Sequence, residues 1–275
     1  MRIPVYQVDA FTKEPFKGNP AGVCILEKEI DDSYKQLIAE EMNLSETAFL
    51  SPSGSETISD SKVFHLRWFT PKTVVPLCGH ATLGTSKVLF DDIGIALDAI
   101  IYETKSGRLI SEKCDGGISL DFPIDEPLDR EPPSELLKAM GIRDYETGIY
   151  GKTTKKLVVR LKAPKDIVNL NPNFELMKEI NFPDIKGVGV TCLGNGDYDI
   201  ISRYFNPWAG VNEDPVTGSV HTLLASYWGN ILKKKELRAY QASRRGGEIL
   251  LKAEPQGRVK LIGESAIVLK GTIYL

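Results

Sequence analysis

The stretch "RWFTPKTVVPLCG" spans residues 67–79, and "RYFNPWAGVNEDP" spans residues 203–215. At an offset of 136 residues, about half of the chain, an arginine, two aromatic residues, a proline and a valine coincide. Each stretch follows a run typical of a strand and precedes a helix-like segment, so an internal duplication is the economical explanation. Aligned without a gap, Cys78 falls on Asp214. We therefore predict that these two reactive side chains occupy equivalent positions in the two halves.

Both duplicated stretches lead into a predicted helix through a glycine, Gly79 in the first half and Gly218 in the second. A helix N-terminus presents unpaired amides and a partial positive charge, which suits a carboxylate or phosphate. Glycine lets a ligand approach the backbone closely. We expect the two helix ends to face each other across a cleft and to hold a small anionic substrate there.

Composition excludes several classes of protein. With 34 basic and 37 acidic residues, the chain has a net charge of −3 and no electrostatic reason to bind nucleic acid or an anionic membrane. No apolar run approaches the roughly 20 residues of a membrane span, and no secretory signal is visible. The four cysteines show no CxxC pairing, which indicates neither a zinc site nor a disulfide framework. We expect a cytoplasmic protein.

The hydrophobic pattern alternates strands with few helices. In residues 32–42 the spacing predicts a helix capped by Asp31 or Asp32, with Tyr34, Leu37, Ile38 and Met42 on its apolar face. A buried helix is predicted over 81–91, just after Gly79-His80. The proline-rich segment 122–136 predicts a boundary between domains at 1–125 and 126–275, with the last strand free to return to the first half. The predicted strands are 3–11, 21–26, 47–51, 63–69, a hairpin series over 99–123 with glycine turns at 107 and 116–117, 155–161, 187–194, 198–205, 247–253, 257–263 and 266–275. The other predicted helices are 134–141, 171–180 and 219–232.

Two groups on opposite sides of one carbon suit the removal and return of a proton, as in epimerases and tautomerases. The motifs GxxxxGK[ST], GxGxxG and HExxH do not occur, so no nucleotide or zinc signature competes. We expect a cofactor-independent isomerase without a metal.

Five motifs resemble the phenazine-biosynthesis PhzF-like isomerases, which belong to the diaminopimelate epimerase-like superfamily. They run in order along nearly the whole chain: "DAFT…GNPAGV" (9–23), "NLSETAFL" (43–50), "LRWFTPKTVVPLCGHATLG" (66–84), "YFNPWAGVNEDPVTGSVH" (204–221) and "QASRRGGEI" (241–249). The resemblance implies an α+β fold of two pseudo-symmetric domains, each a β-barrel-like sheet around a central helix. It also implies an active site between the domains and a homodimer, whereas the expectation of a small carboxylate substrate comes from the two helix N-termini.

The resemblance also implies roles for individual residues. Glu46 of the S-E-T motif corresponds to the acid/base that moves the proton, and His80, Asp214 and Ser219 correspond to residues that orient and polarise the substrate. Cys78 departs from the alanine of the members that make the phenazine precursor. A cysteine there is similar to the epimerase side of the superfamily, where a pair of cysteines acts, but the opposite position here is an aspartate.

Each candidate also has a structural interpretation. Glu46 resembles a capping acid, although the apolar run that follows it indicates a strand, and burial there would raise its pKa. His80 resembles a helix-capping or core histidine, and Asp214 before Pro215 resembles an N-cap. Cys78 is either a small buried hydrophobe or a thiol acidified by the helix N-terminus. The predicted substrate-binding residues are Asn19, Cys78, Gly79, Ala81, Thr217, Gly218 and Ser219.

Two alternatives stay open on the sequence alone. The first is a two-base epimerase or racemase in which Cys78 is one of the bases. The second is a binding protein that keeps the fold but has no turnover.

Overall fold

A computed structural model of the protein describes residues 1–54 and 57–275. The strands in this part are β1 (Arg2–Ala10), β2 (Asn19–Ile25), β3 (Thr47–Pro52), β4 (Val63–Phe69), β5 (Val74–Val75), β6 (Ala99–Thr104), β7 (Gly107–Cys114), β8 (Gly117–Pro123), β9 (Pro127–Asp129), β10 (Thr147–Gly151), β11 (Lys156–Arg160), β12 (Val188–Leu193), β13 (Ile200–Asn206), β14 (Val211–Glu213), β15 (Glu236–Gln241), β16 (Gly247–Glu254), β17 (Arg258–Gly263) and β18 (Ser265–Tyr274). The α-helices in the same part are α1 (Asp32–Met42), α2 (Gly79–Lys87), α3 (Ser134–Met140), α4 (Pro164–Val168), α5 (Phe174–Glu179) and α6 (Gly218–Leu232).

The chain divides into two compact units. Unit 1 comprises Met1–Asp121 together with Ile262–Leu275, and unit 2 comprises Phe122–Leu261. In unit 1, β18 pairs with β1 along nearly its whole length in antiparallel register, so the C-terminal strand belongs to the sheet that the first strand begins. No helix in the described residues is long and apolar enough to cross a membrane.

The sheet of unit 1 mixes antiparallel and parallel pairs. β1 and β2 are antiparallel, β2 and β3 parallel, β3 and β4 antiparallel, β4 and β6 parallel, and β6 and β7 antiparallel. Unit 2 repeats this succession with β10, β11, β12, β13, β15 and β16. The shared succession of pairings is what the duplicated sequence predicts.

A buried helix packs on the sheet of each unit. Every residue of α2 from His80 to Ser86 is buried, and the helix contacts β1, β2, β3 and β18. In α6, residues 220–225 are buried, and this helix contacts β9, β15 and β16. A helix buried on nearly all sides must be apolar or small all round, as "GHATLGTSK" and "GSVHTLLASYW" are. The predicted α+β class, with a sheet around a central helix in each half, is confirmed.

Helix α1 occupies the predicted residues but buries a different face. Asp31 is its N-cap, with a carboxylate oxygen 2.8 Å from the amide nitrogen of Ser33, so Asp31 rather than Asp32 caps the helix. Tyr34 is 50% exposed and Leu37 is 60% exposed. The prediction that these two side chains face the core is therefore wrong.

The buried face of α1 instead contains Lys35, Ile38 and Ala39. The ammonium group of Lys35 pairs with Glu29 and Asp32, which compensates its charge while the aliphatic stem packs against the sheet. Because a paired lysine stem can cover apolar surface, a pattern of apolar letters alone misassigns the face of this helix.

The duplicated loops differ in length. In unit 1, Phe69 at the end of β4 pairs with Val74 of β5, whereas in unit 2 Phe205 of β13 pairs with Glu213 of β14. The second loop is therefore three residues longer, and it contains a 3₁₀ turn at Pro207–Ala209. An alignment without a gap is correct up to the aromatic pair and wrong beyond it.

The longer loop corrects the predicted equivalence of the reactive residues. Helix α2 begins at Gly79 and α6 begins at Gly218, so Cys78, the N-cap of α2, corresponds to Thr217, the N-cap of α6. Asp214 lies three residues before that cap. The prediction that Cys78 and Asp214 are equivalent is wrong.

Candidate active site

Glu46 is positioned by the parallel pair β2–β3. It immediately precedes β3, and its carbonyl oxygen accepts a hydrogen bond of 3.0 Å from the amide of Gly22 in β2. The side chain is only 21% exposed. Burial raises the pKa of the Glu46 carboxyl, and a hydrogen bond from Ser45 opposes that rise. Glu46 is therefore a half-buried carboxyl that holds its proton to a higher pH than an ordinary glutamate does.

His80 lies in the first turn of α2 and contacts Glu46. One carboxylate oxygen, Oε2, lies 3.4 Å from His80 Nε2, and the Ser45 hydroxyl lies 3.3 Å from the same nitrogen. On the other side of the ring, Cys78 Sγ lies 3.5 Å from His80 Nδ1. Tertiary folding thus brings Glu46, Cys78 and His80 together from two segments that are more than 30 residues apart. The three side chains also offer a set of ligand atoms that lie within 4.8 Å of one another.

The remaining predicted residues of unit 1 lie in the first turn of α2 and at the start of β2. Cys78 has extended backbone at the N-cap of α2, and its side chain makes no capping hydrogen bond. Gly79 and Ala81 form the first turn, where amides lack helical partners. Asn19 is fully buried at the start of β2, where it pairs with Ala10 of β1.

In unit 2 the predicted residues form a hydrogen-bonded turn at the start of α6. The amide of Asp214 donates to the carbonyl of Tyr204 over 3.1 Å, and the Thr217 hydroxyl donates to Asp214 Oδ2 over 2.6 Å. Gly218 is buried, whereas Ser219 is exposed and leaves its hydroxyl accessible. This turn fixes the carboxylate of Asp214 beside the N-terminus of α6.

Gln241 completes the turn, although the sequence patterns did not identify it. Its Oε1 accepts a hydrogen bond of 2.8 Å from the amide of Thr217, and its Nε2 donates to the carbonyl of Asp214 over 2.6 Å. Gln241 is fully buried at the end of β15. The available signal is a glutamine that ends a strand directly before "ASRRGG", within one of the five family motifs.

Lys156 and Tyr204 form a second buried polar contact that the sequence patterns did not identify. Lys156 Nζ donates to the Tyr204 hydroxyl over 2.5 Å, and that hydroxyl donates to the carbonyl of Lys186 over 2.8 Å. Burial lowers the pKa of Lys156 to about 8, while the charges of Asp214 and Asp125 oppose the shift. A lysine at the head of the apolar strand "KLVVR" is the signal that reveals this position.

Glu213 and the other two histidines have structural surroundings. Glu213 forms a two-contact ion pair with Arg203, with distances of 2.6 and 3.0 Å. His221 is fully buried; its Nδ1 lies 2.7 Å from the carbonyl oxygen of Thr217, and burial lowers its pKa to about 4. His65 lies on the exposed side of β4, 3.7 Å from Glu103.

Known proteins resemble this chain over its full length. Residues 8–271 match the family model of the phenazine biosynthesis-like proteins, PhzC-PhzF. A protein of Halalkalibacterium halodurans named as an uncharacterized isomerase is 44% identical over 278 residues, which covers 100% of both chains. The crystal structure of a PhzF-family phenazine biosynthesis protein from Enterococcus faecalis superposes with a TM-score of 0.91 at 38% identity, again over 100% of both chains.

A more distant structure shows how far the fold extends. A predicted epimerase from Pseudomonas aeruginosa superposes with a TM-score of 0.77 at 18% identity, over 99% of both chains. At that identity the likeness concerns the fold alone. The matched family, the isomerase relative and the superposed crystal structure agree over essentially the full length, and the chain belongs to the phenazine biosynthesis-like, or PhzF, family.

Proposed function

We propose that this protein is an isomerase that moves a proton on a small carboxylate substrate, with Glu46 as the acid/base. The observation that carries the proposal is the half-buried Glu46 carboxyl, whose pKa is raised by burial and which lies 3.4 Å from His80 Nε2. A carboxyl with a raised pKa can both take and return a proton at the pH of a cell. General acid–base catalysis of this kind contributes roughly 10²–10⁴-fold in rate, so substrate positioning must supply the rest.

The proposal assigns the anionic part of the substrate to the helix N-termini. The amides of Gly79 and Ala81, with Cys78 and Asn19 beside them, are the binding groups proposed in unit 1. In unit 2, the same role is proposed for Thr217, Gly218 and the exposed Ser219, and Asp214 is proposed to orient the reacting group together with His80. The support is the first-turn amides of each helix, which have no partner within the helix, and the fixed position of the Asp214 carboxylate; the amide of Thr217 itself already donates to Gln241.

The strand register identifies the residue of unit 2 that corresponds to Glu46, and this correspondence favours one catalytic base over two. Thr47, the first residue of β3, pairs with Phe69, and Val188, the first residue of β12, pairs with Phe205. The residue before β12 is Gly187, so it corresponds to Glu46.

The hydrogen bonds at the two positions agree with this correspondence. The carbonyl of Gly187 accepts from the amide of Leu157 over 3.2 Å, as the carbonyl of Glu46 accepts from Gly22. Unit 2 therefore has a glycine in place of Glu46 and Thr217 in place of Cys78. Neither equivalent position offers a second base, which supports removal and return of the proton by Glu46 itself.

One observation favours a second candidate function, a two-base epimerase. Cys78 Sγ lies at the N-terminus of α2, 3.5 Å from His80 Nδ1, and an adjacent imidazole is a group that can activate a thiol. In that mechanism Cys78 would act as one of the two bases. Loss of exchange in Cys78→Ala would support it, whereas a Cys78→Ala variant that keeps wild-type exchange would exclude it.

The test is a screen for solvent exchange. Wild type and Glu46→Gln are incubated in D₂O with a panel of small carboxylic acids that carry an acidic C–H, and deuterium uptake is followed by NMR. We expect at least one acid to exchange or isomerise with wild type only. Equal exchange by both proteins would overturn the role of Glu46. Binding of the same acids by both proteins without any exchange would favour a binding protein without turnover.

We also propose that the protein acts as a homodimer in the cytoplasm, without nucleic acid or membrane as a partner. Light scattering of the purified 30.4 kDa chain measures its mass in solution directly. A monomer at micromolar concentration would contradict the dimer and leave the proposed chemistry untouched.

A further inference from the structure

We propose that Glu46, Cys78 and His80 form a binding site for a thiophilic divalent ion, with Zn²⁺ as the natural candidate. The three residues offer a thiolate, an imidazole nitrogen and a carboxylate oxygen, the donor types that zinc takes in proteins. Within residues 1–54 and 57–275, this is the one group of three such side chains whose ligand atoms all lie within 4.8 Å of one another.

Two of the distances between ligand atoms suit tetrahedral coordination. With Zn–S of about 2.3 Å and Zn–N of about 2.0 Å, neighbouring ligand atoms in a tetrahedron lie roughly 3.5 Å apart. The Cys78 Sγ to His80 Nδ1 distance is 3.5 Å, and the His80 Nε2 to Glu46 Oε2 distance is 3.4 Å. An ion can bind only one of the two ring nitrogens, so one neighbour already has the required separation, and the third ligand atom, which lies within 4.8 Å of the others, has to move closer.

The chemistry of the donors selects the class of ion. A thiolate and an imidazole favour zinc, cobalt and copper over magnesium and calcium, which prefer oxygen ligands. On binding, the Cys78 thiol releases its proton to solvent and His80 binds as the neutral ring. The thiolate and the Glu46 carboxylate then balance the two positive charges of the ion, which suits a site where Cys78 and His80 are buried.

Three protein ligands leave one position of the ion open. Glu46 is partly exposed while the other two ligands are buried, so it is the ligand through which solvent reaches the group. An ion bound there would occupy the proposed acid/base and block it. The inference concerns metal binding itself, so it does not rest on the proposed isomerase activity.

The test uses Co²⁺ as a spectroscopic substitute for zinc. The reduced full-length protein is titrated with Co²⁺, and the near-ultraviolet thiolate-to-cobalt charge-transfer band is recorded. Zn²⁺ is then added to displace the cobalt. We expect one equivalent of Co²⁺ with a charge-transfer band that Zn²⁺ abolishes. In Cys78→Ser the band should be lost, and Glu46→Gln should weaken binding at least tenfold.

Matched controls separate this site from other cysteines and histidines. Cys114 is exposed, and His65 lies on the surface beside Glu103, so Cys114→Ser and His65→Asn should keep the wild-type spectrum. Circular dichroism and thermal melting confirm that each variant is folded. A band that survives in Cys78→Ser, a band that disappears in Cys114→Ser, or absence of binding at tens of micromolar Co²⁺ would overturn the inference. Wild-type metal binding in a protein without exchange activity would contradict the proposed function alone.

Discussion

The hydroxyl group of Tyr204 lies where a side chain on Gly187 would begin. A Cβ built on Gly187 would be 1.9 Å from the Tyr204 oxygen, and Gly187 has a φ of +123°, which other residues rarely adopt. Because Gly187 corresponds to Glu46, Tyr204 fills in unit 2 the space where unit 1 begins its acidic side chain. Both units keep the same succession of strand pairings. At the position that corresponds to Glu46, unit 2 has the buried contact between Lys156 and Tyr204 instead of an acidic side chain.

This contact makes Gly187→Ala a strongly destabilising substitution. The added methyl group must displace the Tyr204 ring, and the backbone must also adopt a strained φ. Gly107 is the matched control, because its φ is +100° and a Cβ added there would meet nothing within 4 Å. We expect Gly187→Ala to lower the free energy of unfolding by about 1–3 kcal/mol more than Gly107→Ala does. Urea unfolding of the two variants measures the difference, and equal losses would show that Tyr204 yields without cost.

The raised pKa of Glu46 predicts the pH dependence of the proposed exchange reaction. As a base, Glu46 must be deprotonated, so the rate should rise with pH through a pKa above the ordinary 4.5 of glutamate. The Ser45 hydrogen bond opposes the rise in this pKa, so Ser45→Ala should move the acid limb to still higher pH. The measurement is kcat/KM for deuterium exchange against pH. An acid limb at or below 4.5, or a downward shift in Ser45→Ala, would contradict the assignment.

Buried His221 predicts a loss of stability in acid. The pKa of His221 is about 4 in the folded protein and 6.5 in the unfolded chain. Between these two values the unfolded chain binds a proton at His221 and the folded protein does not. The free energy of unfolding therefore has its full value above pH 6.5, and the His221 contribution lowers it by about 3 kcal/mol in total as the pH decreases towards 4. His221→Gln removes the titrating group. We expect the difference in unfolding free energy between about pH 7 and about pH 4.5 to be about 2 kcal/mol smaller in this variant.

The control for this experiment is His65→Gln, which removes a surface histidine. It should keep the pH dependence of the wild type. A His221→Gln variant with the wild-type difference would mean that folding does not lower the pKa of His221.

The ion pair between Arg203 and Glu213 predicts a structural role for Glu213. Arg203 also donates to the carbonyls of Ile167 and Leu170, at 3.0 and 2.6 Å, so removal of the carboxylate leaves a largely buried guanidinium without its counter-charge. We expect Glu213→Gln to cost about 1–3 kcal/mol of unfolding free energy.

The comparison for Glu213 is Glu175→Gln, which breaks the exposed Lys178–Glu175 pair in α5. Exposed pairs of this kind contribute roughly 0–1 kcal/mol, so the melting temperature should barely move. Equal melting temperatures for the two variants would show that the Arg203 pair is as weak as a surface pair.

Much of the secondary structure was predictable because the pattern of apolar residues follows directly from burial. The strands around Glu46 and the limits of α1 agree with the sequence, since alternation and an N-cap are local signals. The apolar face of α1 was not predicted correctly, because Lys35 is buried with its charge paired to Asp32 in the same helix and to Glu29 before it. The buried contacts of Gln241 and Lys156 were not predicted for a related reason. The partner of a single polar residue in an apolar strand is determined only by the tertiary fold.

The sequence by itself determined the duplicated frame, the mixed class of fold and the family, because each is written in local periodicity or in long motifs. The tertiary structure alone decided which residues correspond between the two halves. Three extra residues in the loop between β13 and β14 shift the alignment of the two halves, but they do not change the hydrophobic pattern of the sequence. Only the strand pairings reveal the shift. The tertiary structure alone also decided that Glu46, Cys78 and His80 lie in contact. Contacts between distant segments depend on the packing of α2 against the sheet rather than on any local pattern.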